Sequence, residues 1–420
     1  MTKKLIGLVT AFFLLLNSFG AYLLLPMDDL QKNHLKAYGI AYWVLQNDVE
    51  MEWLLNYRGG SFLIPLYPDI QDECNIRGVS YEVIADAQAA LIRSEIANPE
   101  VNQEVVKLQT APKMAVYSPA GKQPWDDAVT LVLTYAEIPY DIVYDKEIIE
   151  GVLNKYDWLH LHHEDFTGQY GKFYRSFKNA AWYQSQVKEN ETTASELGFA
   201  KVSELKRTVA LTIRNYTLGG GFLFTMCSGT DSYDIALAAQ EVDICEWMFD
   251  GDPADPNAQQ KIDFRNTVAF KDFELIMDPN QYEFSNIDAT NDHAKLGQKN
   301  DIFTLFDFSA KFDLIPTILV QNHQQVIPGF MGQTTSFRKP LIKSDVLVLG
   351  ETKSINTAKY IHGELGEGQW TFYGGHDPED YRHLVGDPPT DLNLHPNSPG
   401  YRLILNNVLF PAAKKKKQKT

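Results

Sequence analysis

The sequence predicts an α/β protein: a parallel sheet with helices on both faces, plus an N-terminal α+β subdomain and an irregular insertion. Three observations predict it. From Lys113 onward, short apolar runs alternate with helix-length segments, the pattern of strands joined by helical crossovers. The 420 residues exceed the length of one typical domain. The composition, 44% hydrophobic and 22% charged, is that of a folded chain. Lys+Arg total 38 against 54 Asp+Glu, a net charge of −16, which argues against nucleic acid as a partner because that binding needs a basic surface. Three cysteines, Cys74, Cys227 and Cys245, allow at most one disulfide and leave one thiol over.

Residues 1–21 read as a signal peptide. Lys3 and Lys4 precede an apolar run over 5–16, and Asn17, Ser18, Phe19, Gly20 and Ala21 form a small-residue exit. Export to the periplasm or the extracellular space is therefore expected. The competing reading is an uncleaved anchor extended by Tyr22, Leu23, Leu24 and Leu25. Asn17, Ser18 and Gly20 interrupt it, whereas a spanning helix wants ~20 continuous apolar residues. Residues 412–420 form a basic tail with four consecutive lysines, 414–417, a solvated run. Membrane contact is expected only through the signal or this tail.

Residues 26–111 are read as the N-terminal subdomain. Asn56-Tyr57-Arg58-Gly59-Gly60 is a turn between strands, 80–84 a strand and 85–97 a helix stopped by Asn98-Pro99. The main domain spans 112–411. Its strands are expected at 114–117, 140–143, 157–162 and 222–226, with helices opening at Pro124 and over 171–189 and 195–217. Residues 248–335 break the rhythm and read as an irregular insertion. Strands resume at 346–349, 358–362 and 370–373, and Ser398-Pro399 opens a last helix.

Three clusters carry chemistry. The first is Cys227, which follows a buried strand and is flanked by Ser228 and Gly229, with a helix beyond. This is the nucleophile-elbow pattern, in which small neighbours permit a tight strand-to-helix turn. The helix N-terminus favours thiolate, and the Ser228 amide would face an oxyanion. The bland reading is a buried structural cysteine. The second is Gly374-Gly375-His376-Asp377-Pro378-Glu379, which places His376 at a strand's carboxyl end as a base, with Glu379 or Asp377 to orient it; otherwise the imidazole caps a turn. The third is His160-Leu161-His162-His163-Glu164-Asp165. His160 and His162 share a strand face, and His163 and Glu164 would reach the rim. With His376 and His383 these residues suit zinc, but no ligand-spacing motif is present, so no metal is expected and substrate binding or polar packing is preferred. Trp125, Tyr170, Tyr373 and Tyr381 could stack on sugars near the rim.

These pieces, in this order, resemble the class I glutamine-amidotransferase-like superfamily. The stretch Tyr360-Ile-His-Gly-Glu-Leu-Gly-Glu-Gly-Gln-Trp-Thr-Phe-Tyr-Gly-Gly-His376 is similar to the closing strands of its trehalose-utilisation branch. The likeness covers about 112–245 and 340–410. It implies a flavodoxin-like sheet and a triad of Cys227 as nucleophile, His376 as base and Glu379 as orienter. Two departures stand out. Asp377 is inserted into the family's His-Pro-Glu pattern, and His163-Glu164-Asp165 replaces its glycine-rich oxyanion loop.

The whole chain also resembles exported bacterial proteins commonly labelled asparagine synthetase B, through Asn33-His-Leu-Lys-Ala-Tyr-Gly39, Leu159-His-Leu-His-His-Glu-Asp165 and His395-Pro-Asn-Ser-Pro-Gly-Tyr401. The label fits the residues poorly. Glutamine-dependent asparagine synthetases expose Cys at position 2, where this chain has Thr2. Ser228-Gly229-Thr230-Asp231-Ser232 is one residue short of their Ser-Gly-Gly-x-Asp-Ser loop, which removes an amide from the phosphate cradle. ATP is therefore not expected. The expected function is an exported glutamine-amidotransferase-like enzyme attacking an amide through Cys227, with no cofactor. The alternatives are a non-catalytic protein binding a carbohydrate or cell-envelope ligand, and the asparagine synthetase of the label.

Overall fold

The computed structural model describes residues 22–119, 121 and 123–413. The expected signal segment and residues 414–420 of the basic tail lie outside them. The first sheet comprises β1 (Tyr22–Leu25), β2 (Met51–Leu55), β3 (Ser61–Pro65), β4 (Glu82–Ile84) and β5 (Glu104–Leu108) in the order β4-β1-β3-β2-β5, antiparallel throughout. The apolar Tyr22, Leu23, Leu24 and Leu25 thus form an interior strand of this sheet. Between β2 and β3 the chain turns through positive φ at Asn56, Arg58, Gly59 and Gly60. Helix α1 (His34–Gln46) packs on this unit, its first turn capped by the Asn33 side chain accepting from the Lys36 amide.

The second sheet contains β6 (Met114–Tyr117), β7 (Asp141–Val143), β8 (Trp158–Leu161), β9 (Phe222–Met226), β10 (Ile302–Leu305), β11 (Val326–Pro328), β12 (Phe337–Arg338), β13 (Leu347–Thr352), β14 (Thr357–Leu365) and β15 (Gly368–Tyr373). Its order is β11-β10-β13-β14-β15-β9-β8-β6-β7, with β12 on β14. Five neighbours, β7-β6-β8-β9-β15, are parallel; the others pair antiparallel. The sheet is therefore mixed, not wholly parallel. Only Gly366 and Glu367 join β14 to β15, a connection too short for a crossover. The insertion also departs from the expected irregularity, because β10 and β11 extend the sheet edge.

Helix α2 (Ala128–Tyr135) starts four residues later than Pro124, because the Asp127 carboxylate caps it by accepting from the Val129 and Thr130 amides. Trp125 and Asp126 are consequently left in the preceding loop. The expected helices over 171–189 and 195–217 are observed as α3 (Ala181–Glu196) and α4 (Val202–Leu218), after short turns at Tyr170–Lys172 and Tyr174–Phe177. Helix α5 (Ser228–Ala238) follows β9, and α6 (Pro399–Leu409) closes the chain with Ser398 as its cap. One apolar core runs from Leu23 and Trp53 of the first sheet to Phe224 and Tyr360 of the second, with Leu403, Leu405 and Val408 of α6 between them. Among the described residues no helix is long and apolar enough to cross a membrane.

Candidate functional site

The parallel strands deliver the site. β9 and β15 are adjacent and in register, with Met226 opposite Tyr373, so Cys227 and His376 leave the sheet on the same rim. Cys227 adopts φ 49° and ψ −141°, a region that costs a non-glycine residue about 1–3 kcal/mol and is held only by its surroundings. Those surroundings are specific. The Gly229 amide donates to the His162 carbonyl at 2.6 Å, and a Cβ on Gly229 would lie 2.3 Å from that oxygen. The Ser228 and Ser232 hydroxyls donate to the His163 and Glu164 carbonyls at 3.2 and 3.1 Å. The first turn of α5 is thus pinned to the loop that follows β8.

A cavity of about 500 Å³ opens above this turn. Cys227, Ser228, His163, His376 and His383 line it, with Trp125, Phe173, Phe177 and Tyr282 as aromatic walls. A loop from the insertion, 331–335, forms its roof. The Cβ that Gly332 lacks would sit 2.9 Å from Cys227 Sγ and 2.8 Å from the His376 amide nitrogen. The Gly375 amide donates to Thr334 O and the His376 amide to Met331 O. Buried Lys359 donates to the carbonyls of Phe330 and Thr335, and burial lowers its ammonium to about 7.

The Cys227 thiol is 2% exposed. Burial raises it above the usual thiol range, while hydrogen bonding from the amides of Thr334, Ser228 and Gln333 works in the opposite direction. The effect of these nearby amides is favourable to negative charge on the sulfur.

His376 belongs to a histidine cluster. Its ring lies 4.5 Å from that of His162 and 5.9 Å from that of His163, and stacks on His383 at 4.5 Å. Its Nε2 lies 3.0 Å from the Asp126 carbonyl. A carbonyl only accepts, so Nε2 carries the proton and Nδ1 presents a lone pair. Burial and then His162, His163 and His383 hold the His376 ring well below the ordinary imidazole range, and burial followed by His162 does the same to His163. Asp127 bridges His160 Nε2 at 3.3 Å and His162 Nδ1 at 3.2 Å. Burial works to raise its carboxyl, but the His162 and His160 rings outweigh it and hold Asp127 well below the usual range. Burial also works against a charged His383. Asp126 and Asp380, at 2.9 and 3.0 Å from its two nitrogens, nonetheless raise it to about 9.

The sequence-predicted residues are only partly brought together. Cys227, Ser228, His163 and His376 share the cavity. Glu379 does not reach His376; its carboxylate pairs with His395 Nδ1 at 3.0 Å. Asp377 is buried and accepts from the Glu379 amide. Glu164 is buried behind His163, 3.5 Å from that residue's Nε2, and burial raises it to about 7. Among the described residues, no hydrogen bond joins the Cys227 thiol to an imidazole. Of the four proposed aromatics only Trp125 lines the cavity; Tyr373 is fully buried and Tyr381 faces Asp301. Asp126, Asp127, Gln333 and Tyr282 belong to none of the three sequence clusters. Asp127 could have been found as a helix cap in front of an apolar run. Nothing local in the sequence ties Gln333 to residues a hundred positions earlier. All three cysteines are free thiols.

No protein-family model and no curated protein matches this chain. Among solved structures it is similar to two cytoplasmic proteins from Salmonella typhimurium. STM3548 has 10% identity over 72% of this chain and 100% of that chain, TM-score 0.35; STM1381 has 12% identity over the same shares, TM-score 0.36. A beta-galactosidase from Bacillus circulans gives 11% identity over 65% of this chain and 29% of that one, TM-score 0.27.

Proposed function

We propose that this protein is an exported, glutamine-amidotransferase-like hydrolase or transferase that attacks a small amide through Cys227. One observation carries the proposal. The thiol sits on a strained strand-to-helix turn at the wall of a cavity that Ser228, Gln333 and His376 also line. In this reading His376 Nδ1 accepts the thiol proton, and the Asp126 carbonyl takes the orienting part first assigned to Glu379. The amides of Ser228, Gln333 and Thr334 then stabilise the tetrahedral oxyanion. The parallel order β7-β6-β8-β9-β15, which is 2-1-3-4-5 when renumbered along the chain, supports a flavodoxin-like core. The Ser228-Gly229-Thr230-Asp231-Ser232 stretch supports no ATP cradle, because it is the buried first turn of α5, with Ser228 and Ser232 hydrogen-bonded to the loop after β8.

The test is alkylation by iodoacetamide, mapped by mass spectrometry, together with hydrolysis of an amide panel by wild type and Cys227→Ala. Selective labelling of Cys227 and loss of turnover in the variant are expected. An inert Cys227 in the folded protein, or hydrolysis surviving in Cys227→Ala, would sink the reading. A second reading, binding of a carbohydrate-like ligand without turnover, draws on the aromatic walls Trp125, Phe173 and Tyr282 and on the missing thiol–imidazole hydrogen bond. A ligand-dependent rise in Tm without turnover would favour it.

A further inference from the structure

The histidine cluster contains a donor set that goes beyond the thiol chemistry, since only His376 of its three rings takes part in that chemistry. One ring nitrogen of each of His162, His163 and His376 lies within 4.8 Å of the other two. Two neighbouring groups, Asp126-His376-His383 and Asp127-His160-His162, are equally close. Their proximity is already accounted for by carboxylate–imidazole pairs at 2.9–3.3 Å. The three-histidine group has no such internal partner. It brings together three rings that repel one another when protonated.

Each ring instead has an oxygen close behind it. Asp127 Oδ1 is 3.2 Å from His162 Nδ1, Glu164 Oε1 is 3.5 Å from His163 Nε2, and the Asp126 carbonyl is 3.0 Å from His376 Nε2. His162 is 1% exposed, and neither ring nitrogen of His162 or of His163 has a hydrogen-bond partner. Buried polar atoms are rarely left so. Unpartnered buried imidazole nitrogens converging on one point, with oxygens close behind the rings, suit metal ligation, in which an outer oxygen orients the ligating ring.

We propose that His162, His163 and His376 bind a divalent transition metal of the zinc class, its fourth position open to the cavity beside Cys227. Three neutral imidazoles with one open position match a catalytic rather than a structural zinc site. Tetrahedral zinc, with bonds of about 2.0–2.1 Å, needs nitrogens about 3.3–3.4 Å apart, so rings with nitrogens now within 4.8 Å of one another close in on binding. Asp127, 3.2 Å from His162 Nδ1, supplies negative charge beside the ion. This inference does not rest on the nucleophilic role of Cys227. It does imply that His376, when metal-bound, is not free to accept the thiol proton.

The experiment uses the full chain, stripped by chelator and titrated with zinc by calorimetry and equilibrium dialysis, with cobalt absorption as a second readout. Wild type should take up one equivalent and gain Tm. His162→Gln, His163→Gln and His376→Gln, made separately so that at least one folds, should lose stoichiometric binding with unchanged circular dichroism. Asp127→Asn should weaken it by about 10–100-fold. Cys227→Ala should bind like wild type. No stoichiometric uptake by wild type, undiminished uptake in a folded His163→Gln, or loss of uptake in Cys227→Ala would overturn the three-histidine site. Binding is read without turnover, so failure here leaves the alkylation test of Cys227 standing on its own.

Discussion

Gly332 lies over Cys227 so closely that a methyl group on its α-carbon would sit 2.9 Å from the thiol sulfur. The contact joins a loop of the insertion to the strand-to-helix turn after β9, and it defines how much room a substrate has above the sulfur. Gly332→Ala should fold but lose access. Iodoacetamide labelling of Cys227 is expected to slow by about 10-fold or more, because small misplacements at a reacting centre are costly. A time course by mass spectrometry checks this, and unchanged labelling would show that the roof moves away freely.

The backbone of Cys227, at φ 49° and ψ −141°, is tolerated by glycine without penalty. Cys227→Gly should therefore be more stable than Cys227→Ala by about 1 kcal/mol, the relieved strain less the greater unfolded-state freedom of glycine. Urea unfolding of the two variants measures the difference. Equal stabilities would mean that the turn carries no strain.

Gly229 is required by a different constraint. It is the second residue of α5 and meets the His162 carbonyl at a distance that leaves no space for a side chain. Gly229→Ala should cost about 1–3 kcal/mol, as overpacking does, and should also slow Cys227 labelling because it pushes the two loops apart. A variant with wild-type midpoint and labelling would remove this link.

His383 provides a pH signature. Its folded value, raised to about 9 by Asp126 and Asp380 against the opposing effect of burial, lies above the ordinary value near 6.5 of an unfolded chain. The protonated ring therefore contributes stability that is complete below about pH 6.5 and is lost as pH rises towards 9. Tm should decline across that window in wild type and decline less in His383→Gln. Parallel profiles for the two proteins would refute the assignment.

Glu379→Gln should leave Cys227 labelling unchanged. The carboxylate engages the partly exposed His395 rather than His376, so its loss should cost well under about 1 kcal/mol. A tenfold fall in labelling would restore Glu379 to the part that the family resemblance gives it.

Much of this arrangement was legible in the sequence because its signals are local. The strands ending at Met226 and Tyr373 were readable as apolar runs, and the small residues after Cys227 announced a tight turn. The placement of His376 followed from the strand before it. Glu379 was misassigned because sequence spacing says nothing about which way a carboxylate turns after Pro378, and His395 lies outside any local window. The roof over the thiol was hidden for the same reason. Gln333 and Gly332 belong to a segment of weak periodicity, and the pairing of β11 with β10 on one side and of β12 with β14 on the other carries that segment back across the rim. The start of α2 was placed too early because Pro124 resembles a first-turn proline, whereas the Asp127 carboxylate satisfies the amides of Val129 and Thr130.

Arg402, in the last helix, is fully buried and donates to the carbonyls of Met27 and Gly59, while its neighbour Asn406 accepts from Tyr38 of α1. The opening segment of the described chain is therefore completed by residues made some 375 positions later. The five strands of the first sheet pair with one another, but the loop at Gly59 and helix α1 lean on α6 for these bonds. Deleting residues 399–409 would therefore strip polar partners from Met27, Gly59 and Tyr38 at the opposite end of the chain.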